Sequence, residues 1–262
     1  MYCGKVAPRG ILIGLLLLLA AQASASGLPD TIDRVRPSIV AVGTYQPTRR
    51  PPANFVGTGF VVGDGRQVVT NYHVVPQVID YAKKERLVIF HGRGRRGRVR
   101  AARMVGSDPE HDLALLEIEG EPLPPLELGD SSRVREGEEI AFTGFPIGMV
   151  LGFYPVTHRG IVSVITPMVI PAMSSRQLTA EQIKRLRKPF DVLQLDATAY
   201  PGNSGSPVYD QRTGRVIGVV NSVFVKKGKE SALSRPTGIS YAIPVRYVRD
   251  LLSAGRKRSG RQ

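Results

Sequence analysis

The chain has 262 residues, 42% of them hydrophobic, and 36 Lys and Arg against 22 Asp and Glu give a formal charge of +14. That length supports one large domain or two fused halves with a sizeable core, and the single cysteine, Cys3, excludes a disulfide-held scaffold. The basic balance speaks to association and solubility rather than to fold, and no nucleic-acid reading motif accompanies it, which counts against a specific nucleic-acid role.

Lys5 and Arg9 precede an apolar run from Ile11 to Ala21, and Ala21, Ala23, Ser24 and Ala25 supply small-residue cleavage sites after Ala23 or Ala25. This is the pattern of a secretory signal over residues 1–25, and it predicts export to a periplasm or to the outside. The competing reading is a retained membrane anchor, but the run is shorter than the roughly 18–20 apolar residues that cross a bilayer. Cleavage would remove Cys3, so the exported chain would hold together by its core in an oxidising compartment.

A short helix is predicted over 30–35, ended by Pro37. Beyond it the chain becomes a series of β-branched runs separated by Gly, Pro, Asp and Asn. Strands are predicted at 38–44, 57–62, 67–70, 87–91, 98–105, 113–118, 139–144, 160–164, 192–196, 207–209, 216–225 and 239–243. Twelve strands are the number that two six-stranded β-barrels use, so the fold class is all-β. Pro122, Leu123, Pro124 and Pro125 mark the crossing between the halves, near 120–130, because proline cannot donate to a sheet ladder. Helices are expected at 74–84, at 179–188 with Thr179 and Gln182 in capping-box spacing, and at 245–252 between Pro244 and Gly255. Val245, Val248 and Leu252 form one stripe that would pack the last helix against the second barrel. The domain should therefore occupy 26–255, with 256–262 a basic, disordered tail.

The tract Y-P-G-N-S-G-S-P-V from Tyr200 to Val208 presents a serine, Ser204, on a tight loop with Gly202 and Gly205 to either side. Glycines there allow positive φ, and successive N–H groups from Gly202 and Ser204 could converge as an oxyanion hole. The plainer reading is a Gly/Asn/Ser/Pro turn. A serine hydroxyl needs a base, and the best of the four histidines is His73, at a strand end in V-V-T-N-Y-H-V-V. His91, His111 and His158 are expected in loops or at the surface. Asp112 opens the apolar run D-L-A-L-L-E-I, where its carboxylate can hold the imidazole tautomer; the alternative is a capping aspartate. The chain order His, Asp, Ser is that of the chymotrypsin-like arrangement.

The tracts G-T-G-F-V-V at Gly57, T-N-Y-H-V-V at Thr70, D-P-E-H-D-L-A-L-L at Asp108, G-F-P-I-G at Gly144, R-G-I-V-S at Arg159, Y-P-G-N-S-G-S-P at Tyr200 and G-I-S-Y-A-I-P at Gly238 resemble the HtrA/Deg family of trypsin-like serine proteases. The likeness covers roughly residues 38–252. It implies a Ser-His-Asp endopeptidase acting without a cofactor on unfolded or damaged polypeptides outside the cytoplasm, with the site between two barrels. It carries the oxyanion donors to Gly202 and Ser204, and the pocket walls to Asn221, Ser222 and Val223. Thr198, six residues before Ser204, is not an acid, so a small or medium apolar side chain is expected in the pocket rather than Lys or Arg.

Two departures stand out. Family members commonly append a PDZ domain, which is not expected here because the sequence stops soon after the helix at 245–252, and Ser206 stands where a glycine is usual. The long segment 166–190 is expected to cover the cleft, which leaves room for an alternative function as a latent, chaperone-like binding module. The sequence allows an oligomer. The run H-G-R-G-R-R-G-R-V-R-A-A-R, with Arg93, Arg95, Arg96 and Arg98 at its centre, reads either as a solvated hairpin or as a contact site for acidic surfaces or polyanions.

Overall fold

The computed structural model describes residues 27–146, 152–167, 189–221 and 238–259. The first barrel closes through strands β1 (Ile39–Tyr45), β2 (Ala53–Val62), β3 (Gln67–Asn71), β4 (Arg86–His91), β5 (Arg98–Asp108) and β6 (Leu113–Ile118), in the order β1-β2-β3-β6-β5-β4. The second closes through β7 (Glu139–Gly144), β8 (Val156–Pro167), β9 (Asp191–Asp196), β10 (Pro207–Asp210), β11 (Val216–Asn221) and β12 (Ile239–Pro244), in the order β10-β11-β12-β9-β8-β7. Every ladder between neighbouring strands is antiparallel.

The strand alternation explains the architecture. Val40 and Val42, Ala114 and Leu116 fill the first barrel, while their neighbours Ile39, Ala41, Leu113 and Leu115 face a separate core layer. In the second barrel Ile140, Phe142, Val208, Val220 and Ala242 point inward, and Ala141, Tyr209, Val219 and Ile243 join that same layer. Strands buried on both faces read as unbroken apolar runs. The shared layer welds the barrels together.

Two helices complete it. Helix α1 (Leu28–Val35) precedes the first barrel but packs Thr31 and Val35 beside Gly214 of the second, with Thr31 Oγ1 donating to Arg212 O at 3.3 Å. Helix α2 (Val245–Ser259) follows the second barrel, and its Leu251 reaches back to Gly106 and Leu115 of the first. The last helix was expected to lie on the second barrel and to stop before Gly255; it bridges both barrels, and its backbone stays helical to Ser259, four residues into the expected tail. Strands β5 and β8 run longer than their patterns suggested because each carries a bulge, between Met104 and Gly106 and between Val162 and Val164, that lets a long strand bend and keep pairing.

The helix expected at 74–84 does not form. Instead there are short 3₁₀ turns at Tyr72–Val74 and Tyr81–Lys83, the latter capped by Asp80. Val74 and Val75 are buried while Val78 and Tyr81 are 84% and 76% exposed, and Pro76 interrupts the run, so no continuous helical stripe faces the core. Residues 1–26, the helix expected at 179–188, Ser222 and Val223 lie outside the described residues.

Candidate active site

Strand β3 ends at Asn71, and the 3₁₀ turn that follows carries His73. The turn is fastened to Asp112 at several points. Tyr72 N–H and Asn71 Nδ2 both donate to Asp112 O at 3.0 Å, and His73 N–H donates to Asp112 Oδ1 at 2.9 Å. His73 Nδ1 then meets Asp112 Oδ2 at 2.6 Å. An ionised carboxylate only accepts, so the ring hydrogen sits on Nδ1 and Nε2 is left as the acceptor. Asp112 is 7% exposed and holds φ +53°, a left-handed conformation that an aspartate tolerates better than most side chains.

A further donor comes from the opposite barrel. At the end of β11, Asn221 Nδ2 donates to Asp112 Oδ2 at 2.6 Å, and Asn221 is fully buried. This side chain, expected as a pocket wall, also satisfies the aspartate.

Ser204 lies on the loop before β10. Asn203 N–H donates to Tyr200 O at 2.9 Å, Ser206 N–H to Asn203 O at 3.0 Å and Gly205 N–H to Val220 O at 3.0 Å. The loop is also tied to the first barrel: Thr58 N–H donates to Ser204 O at 2.9 Å, and Thr58 Oγ1 donates to Gly202 O at 2.7 Å. Gly202 and Gly205 have φ of +96° and +87°, as the sequence required. A Cβ on Gly205 would lie 2.0 Å from Thr58 O. On Gly57 one would lie 2.7 Å from Val74 and 3.0 Å from Ser204 O, so this glycine lets β2 pass between the His73 turn and the serine loop. Ser204 is 4% exposed, whereas the His73 side chain is 31% exposed, so the site opens to solvent over the imidazole.

The amide of Asn203 and the hydroxyl of Ser206 are buried in this loop with no hydrogen-bond partner among the described residues. A Cβ on Gly144 would lie 2.0 Å from Ser206 Oγ and 3.0 Å from Asn203 Oδ1, so that glycine makes room for both.

The other three histidines are partly buried rather than at the surface. His91 Nε2 accepts from Arg100 Nε at 3.0 Å; burial, reinforced by Arg100 and Arg98, pushes its pKa down. His158 stacks on Phe142 at 4.9 Å, and burial pushes its pKa down. His111 Nδ1 meets Asp108 Oδ2 at 2.6 Å, and its ring lies between Tyr247 of α2, stacked at 3.8 Å, and Phe190, edge-on at 4.7 Å. Burial opposes ionisation of Asp108, but its bonds to His111 hold the carboxyl below the usual range overall. His111 thus clamps the turn that ends in Asp112. Thr58, Asn71, His111 and Asn221 are the site-supporting residues that sequence reasoning missed in these roles; the one signal was polar side chains set within apolar strand runs. Among the described residues no group of three His, Cys, Asp or Glu could hold a metal ion.

The geometry sets an oriented imidazole beside the serine loop. The family description "Trypsin-like peptidase domain" matches residues 57–219. The chain belongs to the trypsin-like peptidase family. This trypsin-like peptidase is 31% identical over 209 residues to a "Probable periplasmic serine endoprotease DegP-like" of Pseudomonas putida (strain GB-1), covering 80% of this chain and 36% of that protein. It is 32% identical over 202 residues to the protein of the same description from Marinomonas sp. (strain MWYL1), covering 77% and 36%. The chain therefore spans about a third of the length of these relatives. Among solved structures, the "HtrA-type protease AlgW with tripeptide" superposes with a TM-score of 0.63 at 26% identity, over 87% of this chain and 63% of that one. The motif resemblance to the HtrA/Deg group is borne out by these neighbours.

Proposed function

We propose that this trypsin-like peptidase is a serine endopeptidase of HtrA/Deg type, exported by residues 1–25 to the periplasm, where it cleaves unfolded or damaged polypeptides. The observation that carries the reading is the Asp112–His73 pair, completed by Asn221 from the other barrel and set beside the Ser204 loop. Its DegP-like and HtrA-type relatives favour the enzyme over the latent binding module.

In this mechanism Ser204 Oγ attacks the scissile carbonyl carbon while His73 Nε2 takes its proton. Asp112 keeps Nδ1–H in place and stabilises the imidazolium that forms. The N–H groups of Gly202 and Ser204 receive the developing oxyanion; the fold gives the intervening Asn203 N–H and the following Gly205 N–H other partners. Each such donor contributes about 3 kcal/mol to the transition state. His73 then protonates the leaving amine, and water returns through the same base to hydrolyse the acyl-enzyme. The specificity pocket, with Asn221, Ser222 and Val223 as its expected walls, takes a small or medium apolar side chain.

A serine-directed phosphonate tests this directly. Mass spectrometry should find one adduct, on Ser204, with parallel loss of casein cleavage, and neither adduct nor cleavage in Ser204→Ala. Cleavage that persists in Ser204→Ala would remove the mechanism.

A further inference from the structure

The arginine-rich run divides into two parts. Arg100 donates to His91 and to Glu121 O, and Arg103 pairs with Glu117, so these two serve the sheet. Arg93, Arg96 and Arg98 are exposed at the β4–β5 hairpin and make no ion pair among the described residues. A shallow pocket, open to solvent, lies there, lined by His91, Gly92, Arg96, Gly97 and Arg98.

This hairpin is held in place. Gly94 N–H donates to Phe153 O at 2.7 Å, Arg93 lies over the Tyr154 ring at 5.3 Å, and a Cβ on Gly97 would lie 2.9 Å from Phe153. Phe153 in turn stacks on Phe145 at 4.8 Å, Phe145 N–H donates to Thr58 Oγ1 at 2.9 Å, and Thr58 Oγ1 donates to Gly202 O. The Gly94–Phe153 bond sets the hairpin against the second barrel, so the basic pocket lies on the flank where the barrels meet, joined to the Ser204 loop through the buried Phe153, Phe145 and Thr58.

We propose that the pocket of Arg96 and Arg98, with Arg93 beside it, is an exosite that holds acidic stretches of the polypeptides cleaved at Ser204. The proposal rests on the peptidase reading. Guanidinium groups bind carboxylates through paired, directional N–H donors, and fixing the hairpin lowers the entropy lost on binding. A chain lying in the cleft and continuing over this flank would present its carboxylates to these arginines. A lipid surface fits less well, because the large apolar side chains exposed along the hairpin and its support among the described residues are Val99, Met104 and Tyr154, too few for a face that inserts.

Two measurements test it. Binding of fluorescein-labelled deca-glutamate to the Ser204→Ala protein, followed by anisotropy, should weaken steeply between low and high salt and fall at least about tenfold in Arg96→Glu/Arg98→Glu. Arg133→Glu/Arg135→Glu, with the same change in net charge, should bind like the parent. For cleavage, two fluorogenic peptides differing only in an appended acidic tail should differ about tenfold in KM with the active protein. The Arg96→Glu/Arg98→Glu protein should lose that difference while keeping kcat/KM on the untailed peptide. Equal loss on both peptides, equal weakening by the control reversal, or tighter binding to phosphatidylglycerol vesicles than to deca-glutamate would overturn the exosite. Normal cleavage without deca-glutamate binding would sink the exosite and leave the peptidase standing; binding without any cleavage by the active protein would remove the peptidase reading and reduce the exosite to a basic binding site.

Discussion

Asn221 Nδ2 donates to Asp112 Oδ2 at 2.6 Å across the boundary between the barrels. The aspartate that orients the base on one barrel is thus satisfied in part by an amide from the other. Hydrogen bonds to charged groups contribute about 1.5–3 kcal/mol, so Asn221→Ala should lower kcat/KM by about one to two orders of magnitude while the protein still folds. Steady-state kinetics beside a thermal melt would check this. Asn221→Asp, which places a second carboxylate against the first, should be worse than Asn221→Ala.

Asp112→Asn keeps the size of the side chain but offers His73 Nδ1 a donor or a neutral acceptor. The wrong tautomer then leaves Nε2 unable to accept, and kcat should fall on the order of 10⁴-fold, as in other trypsin-like triads. Titration with the phosphonate should slow in parallel, and an unchanged labelling rate would contradict the assignment of Asp112.

Gly205→Ala should damage the serine loop by geometry alone. Its φ of +87° is unfavourable for an L side chain, and the new methyl would lie 2.0 Å from Thr58 O. Strain and overpacking together cost on the order of 3 kcal/mol or more, which lowers Tm by roughly 6–12 °C in a domain of this size. Calorimetry of the Ser204→Ala background avoids self-cleavage during the scan.

His111→Ala removes the ring held between Tyr247 and Phe190 and leaves Asp108 without its partner. A loss of about 1–3 kcal/mol in stability is expected, with a fall in kcat larger than any change in KM because the turn ends in Asp112. Denaturant unfolding and kinetics on the same preparation would separate the two effects.

The barrels were legible because buried strands leave a strong mark. The runs at Leu113–Ile118 and Glu139–Gly144 have both faces covered, and sequence and structure agree at both ends. The Ser204 loop was legible through its glycines, since positive φ at Gly202 and Gly205 demands that residue. The Asn221 bond was not, because it depends on how two barrels dock, and no local pattern encodes a contact 109 positions away. The false helix at 74–84 came from overlooking Pro76, which breaks the run, and the β-branched Val74, Val75, Val78 and Ile79, which disfavour a helix.

Stability should also respond to pH through two histidines. Burial lowers the pKa of both His158 and His91 from about 6.5, so the unfolded chain binds more protons than the folded one below that value. Their contribution is complete above pH 6.5 or so, and it is lost as the pH falls from there toward the lowered folded values. Urea unfolding at a series of pH values should show stability declining below neutrality, and His158→Phe should flatten part of that slope.

The two end helices each cross to the barrel they do not adjoin in the chain, α1 to the second and α2 to the first. A ribosome that has released only the amino-terminal half presents a His–Asp pair with no serine, no bridging amide and no closing helix. The site is therefore incomplete until the second barrel has formed against the first.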